Sequence, residues 1–340
     1  MSSVLVEKIV ADVRARGDEA LREWALRLDE VEPARAEPSG EIPREAIKAL
    51  AARVRRWHAA QRPRDLVVEM EEGVTLERRW EPLASVGIYV PRGLVSTLVM
   101  CAVPAQVAGV GRIVVVTPPA GAGLVAATAE LLGLDEVWAV GGPQAIAALA
   151  YGTGTIQNVD KIVGPGNAYV NDAKLLVSRD VAIDLPAGPS EVVVVVGRGG
   201  SHIAAELETA AQAEHGPDAV TAIVEGWDLD SALLEVELRA PEHVVLLGEA
   251  EALADKIRNA GAIFAGGGAS VPAGDYATGG NHVLPTGGWA RSTGGLGLEA
   301  FLKPVVVQRI TERGLEILRP TVEALAAVEG MTAHAAAVAR

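Results

Sequence analysis

The chain is short of cysteine and of positive charge, and it lacks long apolar runs. Its single cysteine, Cys101, excludes an intramolecular disulfide and is typical of a reducing compartment. A formal net charge of −14, with no long basic segment, disfavours nucleic acid as a partner, because nucleic acid requires a basic face. No apolar run reaches the roughly 18 residues that span a bilayer, and the charged N-terminal stretch is unlike a signal peptide. We therefore predict a cytoplasmic protein that binds neither nucleic acid nor a membrane.

Common signatures of nucleotide binding and of serine hydrolases are also missing. The chain contains neither G-x-x-x-x-G-K-[ST] nor G-x-G-x-x-G. The nearest glycine pair is in Gly164-Pro165-Gly166-Asn167, which is either an ordinary tight turn or a turn whose N–H groups meet a pyrophosphate. The absence of G-x-S-x-G disfavours a hydrolase that uses Cys101 or Ser190 as nucleophile. We expect Cys101 to be a buried packing residue.

Short apolar strands alternate with short helices along most of the chain. After helices and a hairpin in residues 1–84, the alternation fills residues 85–189 and resumes from residue 190 with the strand VVVVVG. Continuous apolar strands separated by helices indicate parallel sheets covered on both faces. The predicted fold is therefore α/β, with two Rossmann-like parallel-sheet modules, a helical N-terminal segment and a C-terminal helical arm over residues 301–340. The glycine-rich region 266–297 is too long for a simple connection and is expected to be functional.

Four of the six histidines have an acidic or amide neighbour in the sequence. The pairs are Gln212 with His215, Glu242 with His243, Asp275 with His282, and Glu329 with His334. Each pair alone is more often structural, since a histidine such as His215 can cap the C-terminus of a helix. Together, imidazoles with carboxylates and no thiolates suit Zn²⁺, with Mn²⁺ or Co²⁺ as alternatives. The other two histidines, His58 and His202, are predicted to lie on the surface.

Eight motifs occur in an order that resembles the histidinol dehydrogenase family. They are YVPRG, GGPQAIAALAYGT, DKIVGPGNAYV, IDLPAGPSE, QAEHGPD, APEH, GDYATGGNHVLPT and EGMTAH, and the resemblance covers about residues 40–340. The resemblance implies NAD-dependent oxidation of L-histidinol to L-histidine through L-histidinal, the last step of histidine biosynthesis. It also implies one zinc ion per subunit, a homodimer, and a cofactor site without the standard dinucleotide fingerprint.

The resemblance implies three sets of site residues, carried over motif by motif. The metal ligands would be Gln212, His215, Asp275 and His334. The NAD contacts would be Tyr89, Gln144 and Asn167. The substrate contacts would be Ser190, His243, His282 and Glu329, together with the four metal ligands. One departure from the family lies next to the expected nicotinamide site, where the loop after Tyr89 is a few residues shorter.

The same resemblance implies a domain organisation. Residues 85–189 would form the NAD-binding domain. Residues 1–84 and 190–300 would form the metal- and substrate-binding domain. Residues 301–340 would form a dimerisation arm that carries Glu329 and His334 into the active site of the partner.

Glu242 and His243 are the predicted catalytic residues. Oxidation of an alcohol requires a base, and His243 is the candidate for taking the alcohol proton. The aldehyde must then add water before a second hydride can leave, and the resemblance implies that Glu242 activates this water. Adjacent residues of a regular strand point to opposite faces. We therefore predict that the backbone of residues 240–243 is irregular.

Two other functions compete with this interpretation. The first is oxidation of another small alcohol, such as a sulfonated diol, with the same metal and cofactor; Arg92 or Arg291 would then bind the sulfonate. Glu329 and His282 favour histidinol instead, because an acid and an imidazole suit a cationic ligand that carries an imidazole. The second is a non-catalytic metal- or nucleotide-binding protein, which would be expected to lack Glu242 or His243.

Overall fold

The computed structural model describes residues 3–185 and 188–339, which fall into two compact units. The first unit comprises residues 1–61 and 83–301, and the second comprises residues 62–82 and 302–340. The helices are α1 Ser3–Arg16, α2 Asp18–Leu28, α3 Arg44–Ala60, α4 Val95–Ala108, α5 Ala122–Leu132, α6 Gly142–Tyr151, α7 Ala168–Val177, α8 His202–Ala213, α9 Leu229–Arg239, α10 Val271–Ala273, α11 Glu312–Val328 and α12 Thr332–Val338. The strands are β1 Ala34–Arg35, β2 Leu66–Glu71, β3 Val74–Pro82, β4 Ser85–Tyr89, β5 Arg112–Thr117, β6 Val137–Ala139, β7 Lys161–Val163, β8 Ala182–Ile183, β9 Glu191–Val196, β10 Val220–Glu225, β11 His243–Leu247, β12 Ala262–Phe264 and β13 Leu302–Ile310. Among the described helices, none combines the length and apolarity needed to cross a bilayer.

The first sheet of the first unit has the strand order β1-β6-β5-β4-β7-β8. Strands β4 to β8 pair in parallel, and only β1 at the edge is antiparallel. The chain moves outward from β4 in one direction through β5 and β6, and in the other direction through β7 and β8. The carboxyl ends of β4 and β7 therefore form the topological switch point at which open α/β sheets bind ligands.

The second sheet has the order β10-β9-β11-β12, and all of its strands are parallel. Its central strand β9 is buried on both faces, which explains the unbroken valine run. Val193 and Val195 pack into the core beneath α9, whereas Val192 and Val194 pack into the core beneath α8. Both predicted parallel-sheet modules are therefore confirmed.

The N-terminal helices belong with the first sheet. Val6 and Ile9 of α1 and Trp24 of α2 share one buried core with Val114 of β5 and Ile146 of α6. Their apolar faces cover the helices that follow β6 and β7, because those helices expose an apolar surface that would otherwise face water. This grouping differs from the predicted boundary, which placed residues 1–84 with residues 190–300.

The second unit contains an antiparallel sheet with the order β13-β3-β2. The hairpin predicted around Gly73 is confirmed: Gly73 has a φ of +76°, and a Cβ there would lie 2.1 Å from the Thr311 hydroxyl. The arm predicted as wholly helical instead begins with β13, which pairs along the full length of β3. The strand was missed because its burial on one side is slight, so its sequence shows little alternation.

Two other elements also differ from expectation. Between β11 and β12 the alternation of strands and helices leads to the expectation of an α-helix, but the segment forms only a 3₁₀ helix, Gly248–Leu253. Helix α4 was not predicted, because it is buried on nearly all sides and therefore shows no amphipathic period. Its Cys101 is fully buried, which confirms the packing role, and burial raises the pKa of the thiol.

Candidate metal and catalytic centre

Gln212 lies in the last turn of α8, and His215 lies in the turn that follows the helix. Ser201 caps the start of the helix, where its hydroxyl accepts the N–H of Ala204, and the helix runs back along β9 to the amino ends of the strands. Gln212 is 1 % exposed, and both atoms of its amide lack a hydrogen-bond partner among the described residues. An unpaired buried amide costs about 1–3 kcal/mol. Gln212 is therefore positioned for a ligand rather than for packing.

His243 begins β11, beside the start of β9. Its Nδ1 lies 3.0 Å from the Glu191 carbonyl oxygen and therefore carries the proton. Its Nε2 is buried without a hydrogen-bond partner in the described parts of the chain, 3.9 Å from Asp275 Oδ1. Burial is the main cause that lowers the pKa of His243 to about 4; the hydrogen bond to the Glu191 carbonyl acts in the opposite direction, and the nearby His215 and His282 add to the lowering. At neutral pH the ring is therefore neutral, with an unshared electron pair on Nε2.

Glu242 precedes the strand and lies beside His243. Ala240 adopts a left-handed conformation with a φ of +47°, and β11 begins only at His243. As a result the Glu242 Oε2 comes within 3.5 Å of His243 Nδ1, so both side chains lie on one side of the backbone. The predicted irregularity of residues 240–243 is confirmed.

The environment of Glu242 favours its protonated form. Its Oε2 accepts the Glu191 N–H at 2.8 Å, and the Ser190 hydroxyl also hydrogen-bonds its side chain. Burial raises the pKa of Glu242 to about 8, and the negative charges of Asp275 and Glu191 contribute in the same direction. The contact between Glu242 and His243 is therefore not an ion pair at neutral pH, because the pKa values leave both groups uncharged.

Asp275 and His282 come from the glycine-rich region. Asp275 lies in a π-helical turn, Gly274–Thr278, and its carbonyl oxygen is 3.1 Å from His282 Nδ1. Burial raises the pKa of Asp275 to about 6; the proximity of His215 lowers it, and that of Glu208 raises it. Burial lowers the pKa of His282 to about 4. The long loop is thus built into the centre, as predicted from its composition.

Glu208 was missed at the sequence level. It lies one turn before Gln212 on α8, and its Oε2 accepts the Val271 N–H at 2.9 Å. Val271 opens α10, which leads directly into Asp275. Glu208 therefore ties the segment of Asp275 to the helix that carries Gln212 and His215. The spacing of four residues before Gln212 is the signal that could have identified it.

The prediction that His58 lies on the surface is wrong. It is fully buried, because it continues the apolar face of α3 one turn after Val54. Its Nδ1 lies 2.8 Å from the Val54 carbonyl oxygen, and its Nε2 lies 3.4 Å from Asn281 Nδ2. Asn281 in turn donates to the Met100 carbonyl at 2.7 Å. His58 thus supports the segment that carries His282, whereas His202 is exposed as expected.

The predicted metal and substrate residues are divided between the two units. The first unit contains Ser190, Gln212, His215, Glu242, His243, Asp275 and His282. Glu329 and His334 belong to the second unit, where both are exposed at the end of α11 and in α12. Within the described residues, no group of three or more His, Cys, Asp or Glu side chains is close enough to hold a metal ion.

The predicted cofactor residues lie at the carboxyl edge of the first sheet. Tyr89 ends β4, and its hydroxyl accepts the Gly142 N–H at 3.2 Å; burial raises the pKa of Tyr89 to about 12. Gln144 is fully buried in the first turn of α6, and its Oε1 has no hydrogen-bond partner among the described residues. Asn167 caps α7 by accepting the N–H groups of Tyr169 and Val170, both at 3.1 Å.

A buried ion pair supports the Gly164–Asn167 turn and was not anticipated. Lys174 donates to the Gly164 carbonyl at 2.9 Å and pairs with Asp184, which accepts the Gly164 N–H at 2.7 Å. Gly164 has a φ of +106°, and a Cβ there would lie 2.2 Å from the Tyr89 carbonyl oxygen. The ion pair therefore holds the turn against the end of β4, at the switch point of the sheet.

Similarity to solved aldehyde dehydrogenases extends over the fold alone. An acetylating aldehyde dehydrogenase from Geobacillus thermoglucosidasius superposes with a TM-score of 0.52 at 13 % identity, covering 90 % of this chain and 92 % of the other. At that level of identity the shared feature is the arrangement of the two α/β modules.

Similarity to histidinol dehydrogenases extends over nearly the whole chain. The histidinol dehydrogenase family model matches residues 2–228 and 221–340. The histidinol dehydrogenase of Methanosarcina barkeri is 39 % identical over 98 % of this chain and 90 % of its own length, and that of Caulobacter vibrioides is 42 % identical over 97 % and 90 %. The crystal structure of histidinol dehydrogenase from Elizabethkingia anophelis superposes with a TM-score of 0.90 at 32 % identity, covering 98 % of this chain and 90 % of that one. The chain therefore belongs to the histidinol dehydrogenase family.

Proposed function

We propose that the chain oxidises L-histidinol to L-histidine in two NAD-dependent steps, as the last enzyme of histidine biosynthesis. We further propose that it works in the cytoplasm as a homodimer with one zinc ion per subunit. The observation that carries the proposal is the buried, neutral imidazole of His243, which lies 3.5 Å from the Glu242 carboxyl and 3.9 Å from the Asp275 carboxyl.

The donor set suits zinc. Gln212, His215 and Asp275 offer an amide oxygen, an imidazole and a carboxylate, all within the range of zinc ligands. The unpaired amide of Gln212 supports this role, because a bound cation would satisfy its oxygen. The exposed His334 would supply the fourth ligand from a second copy of the chain. Zinc bound there would supply a positive charge that fixes and acidifies the alcohol of the substrate.

His243 has the geometry of the base in the first oxidation. Because its Nδ1–H is fixed on the Glu191 carbonyl, Nε2 is free to accept the alcohol proton. NAD bound at the carboxyl edge of the first sheet would accept the hydride. The alcohol would become the aldehyde by loss of one proton to His243 and of one hydride to NAD.

Glu242 suits the second oxidation. A pKa of about 8 allows the carboxyl to take a proton from water and to return it at neutral pH. The deprotonated water would add to the aldehyde and give the anion of the hydrate. Loss of the second hydride to a second NAD, and of the remaining hydroxyl proton to solvent, would leave the carboxylate of the product. The shared backbone contact at Glu191 keeps Glu242 and His243 in one site.

The remaining polar residues would bind the substrate. Ser190 touches Glu242, and His282 lies beside Asp275, so both border the proposed reaction site. Glu329 of the partner would pair with the cationic substrate. Of the two arginines that could bind a sulfonate, Arg291 already donates to the Gly288 and Leu238 carbonyls, which favours histidinol over a sulfonated diol.

A stoichiometric assay tests the proposal. The protein receives a limiting amount of L-histidinol with excess NAD⁺, and the NADH formed is counted. We expect two NADH per histidinol, loss of turnover on treatment with a strong chelator, and its return on addition of Zn²⁺. No turnover by protein shown to contain zinc would overturn the proposed substrate, and a single NADH per histidinol would overturn the second step.

A further inference from the structure

A carboxylate from the N-terminal helices reaches the predicted cofactor edge of the first sheet. Asp29 follows the last residue of α2 and is half-buried. Its Oδ2 accepts the Gly141 N–H at 3.2 Å and the Gln144 Nε2–H at 3.1 Å. Its Oδ1 makes no hydrogen bond within the described ranges. Asp29 thus fixes the amide of Gln144 and leaves one carboxylate oxygen available beside it.

Two buried polar atoms without partners lie at the same edge. They are Oε1 of Gln144 and Oγ1 of Thr117, both on fully buried side chains with no partner among the residues that the structure describes. Thr117 ends β5 and pairs in register with Ala139 of β6. A Cβ on Gly141 would lie 2.9 Å from Pro118, so the ends of the two strands touch here. Unpaired buried polar atoms grouped in this way point to a polar ligand with hydroxyl groups.

The topology identifies the part of a dinucleotide that would reach these atoms. In sheets of this order, the strand beside the first one ends in an acid that binds the 2′-hydroxyl of the adenosine ribose and thereby selects NAD. That strand is β5 here, and it ends in Thr117, Pro118 and Pro119 rather than in an acid. Asp29 supplies a carboxylate at the neighbouring strand end from outside the sheet.

We propose that Asp29 is the residue that selects NAD⁺ over NADP⁺, a role that rests on the proposed use of NAD. One carboxylate oxygen accepts a ribose hydroxyl, and the negative charge excludes a 2′-phosphate. The other oxygen orients Gln144 so that its Oε1 faces the same ribose. The Tyr89 hydroxyl and the Asp29 carboxylate accept hydrogen bonds from backbone N–H groups at the start of α6. These N–H groups are therefore less available for a phosphate.

The substitution Asp29→Asn tests this role, because it removes the charge and keeps an oxygen that can accept from Gly141. Its matched control is Asp18→Asn, at the other end of α2. Asp18 accepts the Thr155 N–H at 3.2 Å in the loop that precedes β7, at the opposite edge of the sheet. Each protein is assayed with L-histidinol for kcat/KM with NAD⁺ and with NADP⁺. Binding of NADH and NADPH is measured separately by fluorescence.

We expect the wild-type protein and Asp18→Asn to prefer the non-phosphorylated cofactor equally. We expect Asp29→Asn to reduce that preference at least about tenfold, mainly by improved binding of NADPH, since a like-charge contact is removed. Asp29→Glu keeps the charge and should keep most of the preference. This second variant keeps the test decisive if Asp29→Asn is poorly folded.

The failure of this inference is distinct from the failure of the proposed function. If Asp29→Asn weakens the binding of both cofactors equally, or leaves the preference unchanged, Asp29 does not select the cofactor. It would then only support the start of α6. Loss of preference in Asp29→Glu as large as in Asp29→Asn would overturn it as well. If the wild-type protein binds NADH but does not oxidise histidinol, the proposed substrate fails while the binding comparison still decides the role of Asp29.

Discussion

Replacing Glu242 with glutamine separates the two oxidation steps. The amide has nearly the shape of the carboxyl, and its oxygen can still accept the Glu191 N–H that Glu242 accepts at 2.8 Å. The amide cannot take a proton from water. A positioned general base contributes about 10²- to 10⁴-fold, so oxidation of L-histidinal should slow by that factor. Oxidation of L-histidinol to the aldehyde, in which His243 acts, should change only a few-fold.

The pKa of Glu242 also predicts a pH dependence that the variant should lose. With a pKa of about 8, about one Glu242 in ten is ionised at pH 7. The ionised form is the base, so the aldehyde step of the wild-type enzyme should accelerate as pH rises from 7 to 9. Bound zinc moves this rise to lower pH, because a nearby positive charge favours the carboxylate. The aldehyde step of Glu242→Gln should not show the rise.

Single-turnover kinetics with L-histidinol and with L-histidinal measure the two steps separately. Glu191→Gln is the comparison, since it removes a charge that raises the pKa of Glu242 and keeps the base itself: its aldehyde step should still rise with pH, but at lower pH than in the wild-type enzyme. The fold should survive in Glu242→Gln, because burial already favours an uncharged side chain at this position, and thermal melting at pH 8 checks this. Equal slowing of both steps in a folded Glu242→Gln protein would refute the assignment of Glu242 to water activation.

Three further predictions concern the metal, the cofactor turn and the dimer. Glu208→Gln should weaken zinc binding about 10- to 100-fold, because it loosens the segment that carries Asp275. Competition with a chelator measures the zinc affinity, and an unchanged affinity would contradict the supporting role of Glu208. Lys174→Met leaves the buried Asp184 without its cation and should reduce the free energy of unfolding by about 3–5 kcal/mol. Unfolding in urea measures this, and a loss under about 1 kcal/mol would show that water reaches the pair. An equal mixture of His334→Ala and Glu242→Gln chains should regain about a quarter of wild-type activity, because half of the dimers are mixed and each mixed dimer has one intact site. No recovery despite proven exchange of subunits would argue against sites shared between chains.

The proposed catalytic centre lies at an edge of the second sheet that general rules do not favour. Ligands in open α/β sheets usually bind outside the carboxyl ends of the strands. Glu191 and His243 instead open β9 and β11, so the centre lies at the amino ends of the second sheet. The reason is local: α8 runs against the direction of β9 and therefore brings Gln212 and His215 to that edge. The predicted cofactor residues lie at the carboxyl ends of the first sheet, as the general rule expects.

Periodicity and composition were enough to predict a segment's structure where all of its residues share one environment. The valine run of β9 could only be a strand buried on both faces, and the glycine-rich region was too long and too polar to be a linker. The need for two side chains, Glu242 and His243, on one side of the chain predicted an irregular backbone over residues 240–243, and the structure has a left-handed residue there, Ala240. In these cases the information lies within a few consecutive residues.

What only the tertiary structure decided depends on contacts between distant segments. The sequence predicted His58 as a surface residue, whereas in the structure it is buried and contacts Asn281. The sequence indicated no role for Asp29, which in the structure accepts a hydrogen bond from Gln144. The pKa values of Glu242 and His243 likewise come from burial, which no local pattern records. The sequence by itself determined the fold class and the family, and it predicted the residues of the proposed centre. Their protonation and their supporting contacts were decided by packing, because desolvation and hydrogen bonding depend on which segments meet in space.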